Sequence, residues 1–369
     1  MKRLYVLILS VLFFLPSAAQ QPATDETLEE LATRIRQQYE RPDDRLGAIY
    51  DWMTRHIAYD TSTNEDTFIR YGEEHLLAEG VFYERQGRNS GFALLFKLLA
   101  EKAGVSGVFH IQGYARNAGR TLKHDWCVWL AEGIYFYDPM LDAGHVQNGV
   151  FTRLPQRKHY RQTPEAWIKD YMPFDPLWQC LQRPVTYEAF DGQRVEVTPP
   201  TAAIAEAIRT TTLHHARLPL DERLRAAYER MCRNGIPNEL VTNELERLEE
   251  ANAIMDDNAR VRLFMQAQEE FNRGIDLLNA FVDYRNRQFK PEKSEEETRR
   301  MVAQAEQCMK SCMEKLEMAR EATREDIREM CRQLAGHQTK SMEKIERQKE
   351  FLDRYYATPA NRRGALFYK

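Results

Sequence analysis

The chain has no apolar run long enough to cross a membrane. Its longest, Leu4–Leu15, is about twelve residues, and a spanning helix needs ~20. No basic stretch is concentrated enough to track a phosphate backbone, and the formal net charge is −4, so nucleic acid is not an expected partner. Cysteine is sparse: six in 369 residues, at 127, 180, 232, 308, 312 and 331. That spacing excludes a small scaffold stapled by disulfides, although an exported chain could pair some of them. From about Thr201 to Tyr356 glycine almost disappears, which excludes a loop-rich or β-rich second half.

What is present begins with an export signature. Lys2 and Arg3 precede the apolar run, and Pro16 and Ser17-Ala18-Ala19 follow it. A charged start, a short apolar stretch and a small-residue cleavage site describe a signal peptide over residues 1–19. The mature chain would start at Gln20, carry a net charge of about −6 and be exported, periplasmic or extracellular. No cysteine follows the cleavage point, so no lipid anchor is expected.

Gln20–Thr63 is predicted mostly helical. Leu28, Leu31, Ala32, Ile35 and Tyr39 share one face; after Pro42, Leu46, Ile49, Tyr50, Met53 and Ile57 form a second amphipathic stretch. Arg85–Leu98 then organises the domain. A polar turn leads into Phe92, Leu95, Phe96 and Leu99 at three- and four-residue steps, predicting a buried helix that starts near Asn89 or Ser90. A side chain at such a start meets unpaired backbone N–H groups and the positive end of the helix dipole. Thiol nucleophiles exploit that position; this chain puts Asn89 there.

Strands follow: Gly107–Ala115, Asp125–Leu130 and Ile134–Asp138, with Ala131-Glu132-Gly133 as a short hairpin loop. A three-residue loop sets Leu130 opposite Ile134 and Trp126 opposite Asp138. His124 then shares a face with Asp138 one diagonal step away, within side-chain reach. A two-residue loop would separate them. Cys127, three residues beyond His124, falls on the other face and reads as a core residue. Ser90 lies about 100° round the helix from Asn89 and reads as a cap.

Pro155–Pro200 is irregular and aromatic, with Trp167, Tyr171, Phe174 and Trp178 expected to pack over the sheet. Beyond it the chain reads as a helical hairpin or bundle over 201–369. Val302, Ala305, Met309, Cys312, Leu316 and Ala319 make a coiled-coil seam. Val241, Leu245, Leu248, Met255 and Ala259 make another, with Asn252 on it. Lys290-Pro291 ends one helix, and Ser294 with Glu297 caps the next. Such helices offer a surface for a helix-mediated oligomer. The Cys308-Met309 and Cys312-Met313 steps could hold Cu(I), but they read as seam packing. His124, Asp138, Asp142 and His145 have no spacing that fixes a metal geometry, so no metal and no cofactor is expected.

Taken together, RQGRNSGFA, HDWCV and YFYDP resemble the transglutaminase-like superfamily, whose fold is papain-like. Arg85, Gly87, Gly91, Phe92 and Ala93 match its R-x-G-x-C-x-G-[YF]-[AS] block. His124, Trp126 and Val128 match H-A-W-N, and Tyr137, Asp138 and Pro139 match the strand ending in D-P. Tyr50–Asp60 and Gly113–Arg116 are similar to the preceding helix and strand. The resemblance spans about residues 45–145, weakens through Trp167–Phe190 and leaves the helical tail uncovered. It implies an α+β domain over 20–200 with a papain-like core. It also implies a base at His124, an orienting acid at Asp138 and a nucleophile position at residue 89. Asn89 departs there, and Asn cannot replace a thiolate; Asp125 and Cys127 also depart. The leading expectation is a catalytically inactive exported protein that binds a protein or cell-wall peptide through its cleft or its helices. An active peptidase or acyltransferase on peptide or Gln amides, with a rearranged nucleophile, is the second. A helical interaction protein with the cleft domain as scaffold is the third.

Overall fold

The computed structural model describes residues 26–62, 74–117 and 119–368; the expected signal peptide lies outside them. The chain is α+β. It divides into two compact units, residues 1–245 and 246–369.

The first unit opens with α1 (Leu28–Gln38), held at its start by a reciprocal capping box between Thr27 and Glu30. Pro42 begins α2 (Pro42–His56), where a missing N–H costs nothing. β1 (Ala58–Tyr59) follows, then α3 (Glu74–Glu84), β2 (Gln86–Gly87), which pairs in parallel with β1, and α4 (Asn89–Lys102). β3 (Val108–Asn117), β4 (Arg120–Trp129) and β5 (Tyr135–Tyr137) come next. Beyond them lie the small hairpin β6 (Gly144–Gln147) and β7 (Val150–Arg153), α5 (Pro164–Trp167) and β8 (Tyr171–Pro173). The central sheet has the order β5-β4-β3-β8, all antiparallel.

Register decides which residues face which core. Cys127 pairs with Tyr137, and Val128 with Phe136. That is the alignment expected of the hairpin, continued one step to set Trp126 opposite Asp138. One face presents Cys127, Trp129 and Tyr137 to α4, whose Phe92, Leu95, Phe96 and Leu99 are fully buried. The other presents Trp126, Val128 and Phe136 to Trp167, Tyr171 and Cys180. The aromatic segment after Pro155 covers this second face, as expected. It is less irregular than its composition predicts, because Tyr171–Pro173 adds a strand to β3.

Two glycines are dictated by close approach. A Cβ on Gly91 would come within 2.7 Å of a Val81 methyl on α3, and one on Gly113 within 2.2 Å of the Met172 carbonyl oxygen on β8. Gly113 therefore lets β8 close onto the sheet.

After a 3-10 turn (Pro176–Gln179) come α6 (Tyr187–Asp191), α7 (Ala202–Ala216), α8 (Leu220–Arg233) and α9 (Glu239–Asn286). The composition shift near residue 201 is not the packing boundary. α7 and α8 count with the first unit: Arg209 donates to the carbonyls of Leu130 and Ala131, and Arg230 pairs with Asp175.

In the second unit, α10 (Glu295–Ala319) and α11 (Glu325–Ala357) pack with the rest of α9. The predicted Ser294–Glu297 capping box starts α10, and all six residues of its predicted seam are buried. Asp257 ties down the α10–α11 turn by accepting from the Thr323 N–H and hydroxyl at 2.8 and 2.6 Å. The six cysteines are all unpaired; five are buried and Cys232 is exposed. No helix among the described residues is long and apolar enough to cross a membrane.

Candidate active site

Asn89 is the first residue of α4. The N-cap is Arg88, whose side chain makes no capping bond, so neither Asn89 nor Ser90 fills the cap role expected of Ser90. The Asn89 side chain instead reaches across to the sheet: its Nδ2 donates to the Lys123 carbonyl at 3.1 Å. That carbonyl belongs to the residue before His124, so the start of α4 is tied to the strand that carries the imidazole.

His124 sits on β4, almost fully buried, with its ring near those of Trp126 and Tyr171. Its Nε2 lies 2.6 Å from Asp138 Oδ2. With that carboxylate accepting, Nε2 carries a proton, so Nδ1 is the nitrogen that would act as base whenever the ring is neutral. This is the diagonal contact that the hairpin register predicts.

Asp138 is 1% exposed and accepts four hydrogen bonds. Oδ2 takes His124 Nε2 and the Tyr171 hydroxyl at 2.9 Å; Oδ1 takes the backbone N–H groups of Met140 and Leu141 at 3.0 and 3.2 Å. Burial pushes the carboxyl's pKa up, but the His124 and His159 charges and these bonds outweigh it and hold it below the ordinary value. Burial and the neighbouring carboxylate push the Tyr171 phenol well up, so it remains a donor. Its ring stacks on Trp167 at 3.8 Å, which fixes the hydroxyl's direction.

A second buried carboxylate stands behind the first. Asp142 accepts from the Tyr50 hydroxyl at 2.5 Å and from both the backbone N–H and Nδ1 of His159. Tyr50 also lies 2.8 Å from the Asp138 carbonyl, and the Asp138 N–H donates to the His159 carbonyl. The turn bearing Asp138 is thus fixed from both sides. His145, in contrast, is exposed on β6, and Asp142 is committed to Tyr50 and His159, so these two do not gather with His124 and Asp138 as metal ligands.

On the α4 side of the sheet a further pair appears: His110 Nε2 lies 2.7 Å from Asp125 Oδ2. In the sequence Asp125 stands out only as an odd residue in its motif, and His110 does not stand out. The β3–β4 register carries the signal, since it puts Gln112 opposite Asp125 and His110 one diagonal step away. Tyr171, Tyr50 and His159 do not stand out either, because each arrives from a distant stretch of chain. Cys127 is fully buried and its thiol lies 3.1 Å from the Ala93 carbonyl of α4; burial pushes its pKa far up. It is a core residue, as expected. Arg85 from the first motif is held between aromatic rings, 4.7 Å from Trp52 and 4.6 Å from Phe82.

Chemically, the arrangement supplies a basic imidazole with an oriented tautomer and a buried supporting carboxylate. Asn89, where α4 meets that strand, is neutral and cannot become a nucleophile.

The chain is 24% identical to the mouse Kyphoscoliosis peptidase over 188 residues, which cover 48% of this chain and 28% of that protein. It is 23% identical to the human Kyphoscoliosis peptidase over 185 residues, 47% of this chain and 27% of that protein. It therefore matches little more than a quarter of the length of these relatives. Kyphoscoliosis peptidase is a transglutaminase-like protein, and this distant similarity fits the superfamily that the motifs resemble. No protein-family profile matches the chain.

Proposed function

We propose that this is an exported transglutaminase-like protein whose papain-like core makes no covalent acyl intermediate and serves to bind a protein or peptide segment. One observation carries the reading: the residue at the start of α4, tied to the strand of the base, is Asn89. Acyl transfer through an enzyme-bound intermediate needs an attacking group, a base for its proton and donors for the oxyanion. Here His124 and Asp138 correspond to the base and its orienting acid, while the attacker is an amide. Loss of the nucleophile from such a unit costs about a millionfold in turnover. The relatives' name carries the word peptidase; for this chain we propose binding in place of that chemistry.

The test is Asn89→Cys. A thiol at this helix start should have a lowered pKa. Peptide mapping after brief iodoacetamide treatment should find residue 89 alkylated faster than any native cysteine, and His124→Ala in that background should slow it. The wild-type protein should show no peptidase or transamidase turnover. His124-dependent turnover by the wild type would overturn the proposal.

A further inference from the structure

A cavity of about 520 Å³ lies in the first unit between the 3-10 turn with its following segment, α7 and α8. The volume falls within the range of small-molecule sites. It is open to solvent; Leu177 and Leu181 from the turn segment and Ile204, Ala207 and Ile208 from one face of α7 give it an apolar surface, and Gln182, Thr211, Thr212 and Asn234 also line it. At one side stand Arg230 and Arg233, one turn apart on α8. No Asp or Glu lines the space.

The Arg230 guanidinium is set in place from behind. Its Nε and Nη2 form a two-pronged pair with Asp175 at 2.8 and 2.7 Å, and Nη2 also lies 2.9 Å from His215 Nε2. Burial, followed by the charge of Arg230, lowers the His215 pKa to about 4, so its neutral ring accepts from the guanidinium. Three contacts thus fix the fork, and Nη1 takes no part in them. Arg233 at the rim is exposed and has only a loose 3.5 Å contact with Glu229. The Arg230 Nη1, which takes no part in those contacts, and the exposed Arg233 guanidinium beside an apolar surface favour a ligand with an apolar body and one anionic end, since these N–H groups can donate to a carboxylate and aliphatic carbons match the walls.

We infer that this cavity binds a small amphipathic monocarboxylate with its chain between α7 and the turn segment and its carboxylate toward Arg230 and Arg233. The site is separate from the His124–Asp138 pair and does not depend on the function proposed for that pair.

Titration calorimetry of the full chain with dodecanoate, below its micelle concentration, tests it, with dodecanol as the uncharged control. Dodecanoate should bind at one site per chain, at least tenfold more tightly than dodecanol. Arg233→Gln, an exposed change that leaves the Asp175 pair intact, should weaken dodecanoate about three- to tenfold and leave dodecanol unchanged. Ala207→Trp should abolish binding of both by filling the chamber. Circular dichroism and the melting point certify that each variant is folded; should Ala207→Trp not fold, Ile204→Phe replaces it. Absence of saturable binding, equal affinity for acid and alcohol, or wild-type affinity in a folded chamber-filling variant would overturn the inference.

Discussion

The Asp138 side chain gives the sharpest test of how the site is held. Asp138→Ala leaves four donors facing a buried void: His124 Nε2, the Tyr171 hydroxyl and the N–H groups of Met140 and Leu141. Breaking a buried charged pair by removing one partner costs about 3–5 kcal/mol. Tyr171→Phe deletes one hydrogen bond to a charged acceptor, worth roughly 1.5–3 kcal/mol, and keeps the ring stacked on Trp167. The double variant should cost less than the sum, because the Tyr171–Asp138 bond is lost only once. A coupling of about 1–2 kcal/mol is expected, inside the range for residues in direct contact. Urea denaturation followed by tryptophan fluorescence suits the measurement. All five tryptophans (52, 126, 129, 167 and 178) belong to the first unit, so the signal reports on it alone. With a slope of about 2 kcal/mol/M, a 2 kcal/mol loss moves the midpoint by about 1 M. The pH dependence gives a second check. Asp138's folded pKa is depressed, so its contribution is complete above the ordinary aspartate value of 3.8 and is lost only as pH falls through the lower folded value. The stability gap between wild type and Asp138→Ala should therefore hold at neutral pH and narrow only below 3.8. Additive single variants, with coupling under about 0.5 kcal/mol, would refute the four-donor account of Asp138.

Three further outcomes are expected. His215 has a folded pKa near 4 against an ordinary 6.5, so the unfolded chain binds its proton more readily and stability falls as pH drops through that window; in His215→Gln melting curves the part of the decline due to this ring should disappear. Thiol titration of the native protein should register one fast cysteine, Cys232, and five slow ones that react at the rate of unfolding; a fast Cys127 would contradict its placement under α4. Ser294→Ala should remove the α10 capping box and destabilise the second unit by about 1 kcal/mol, read as a lower melting point of the helical signal at 222 nm.

Much of the site was legible because its geometry is local. Ala131-Glu132-Gly133 sets the β4–β5 register, and register alone brings His124 to Asp138 and turns Cys127 away. The helix start near Asn89 follows from the apolar period of α4. What was not legible depends on contacts between distant residues. Tyr171–Pro173 is only three residues long and becomes a strand because Gly113 admits its backbone. Its Tyr171 then reaches Asp138 across 33 positions of sequence. The extent of the first compact unit, to residue 245, is not legible in composition for the same reason. α7 and α8 carry the charge-rich composition of the tail, yet Arg209 and Arg230 fasten them to the first unit, and composition cannot report two side-chain contacts.

These contacts also bear on what the His124–Asp138 pair means. Asp138 does more than orient an imidazole: it accepts from Met140 and Leu141 at the turn that closes β5, and from a tyrosine packed in the second core. His124 is itself buried, and without Asp138 its Nε2 would lose the partner now at 2.6 Å. Each residue is therefore held by stability, whether or not any reaction occurs, because a buried polar group left without its partner costs about 1–3 kcal/mol. Asn89 is under no such constraint. It lies at the half-buried start of a helix and makes one hydrogen bond to a neighbouring strand. A substitution there disturbs one hydrogen bond, whereas replacing His124 or Asp138 strands buried polar partners. In the function proposed above, the identity of residue 89, rather than the pair behind it, marks binding in place of acyl chemistry.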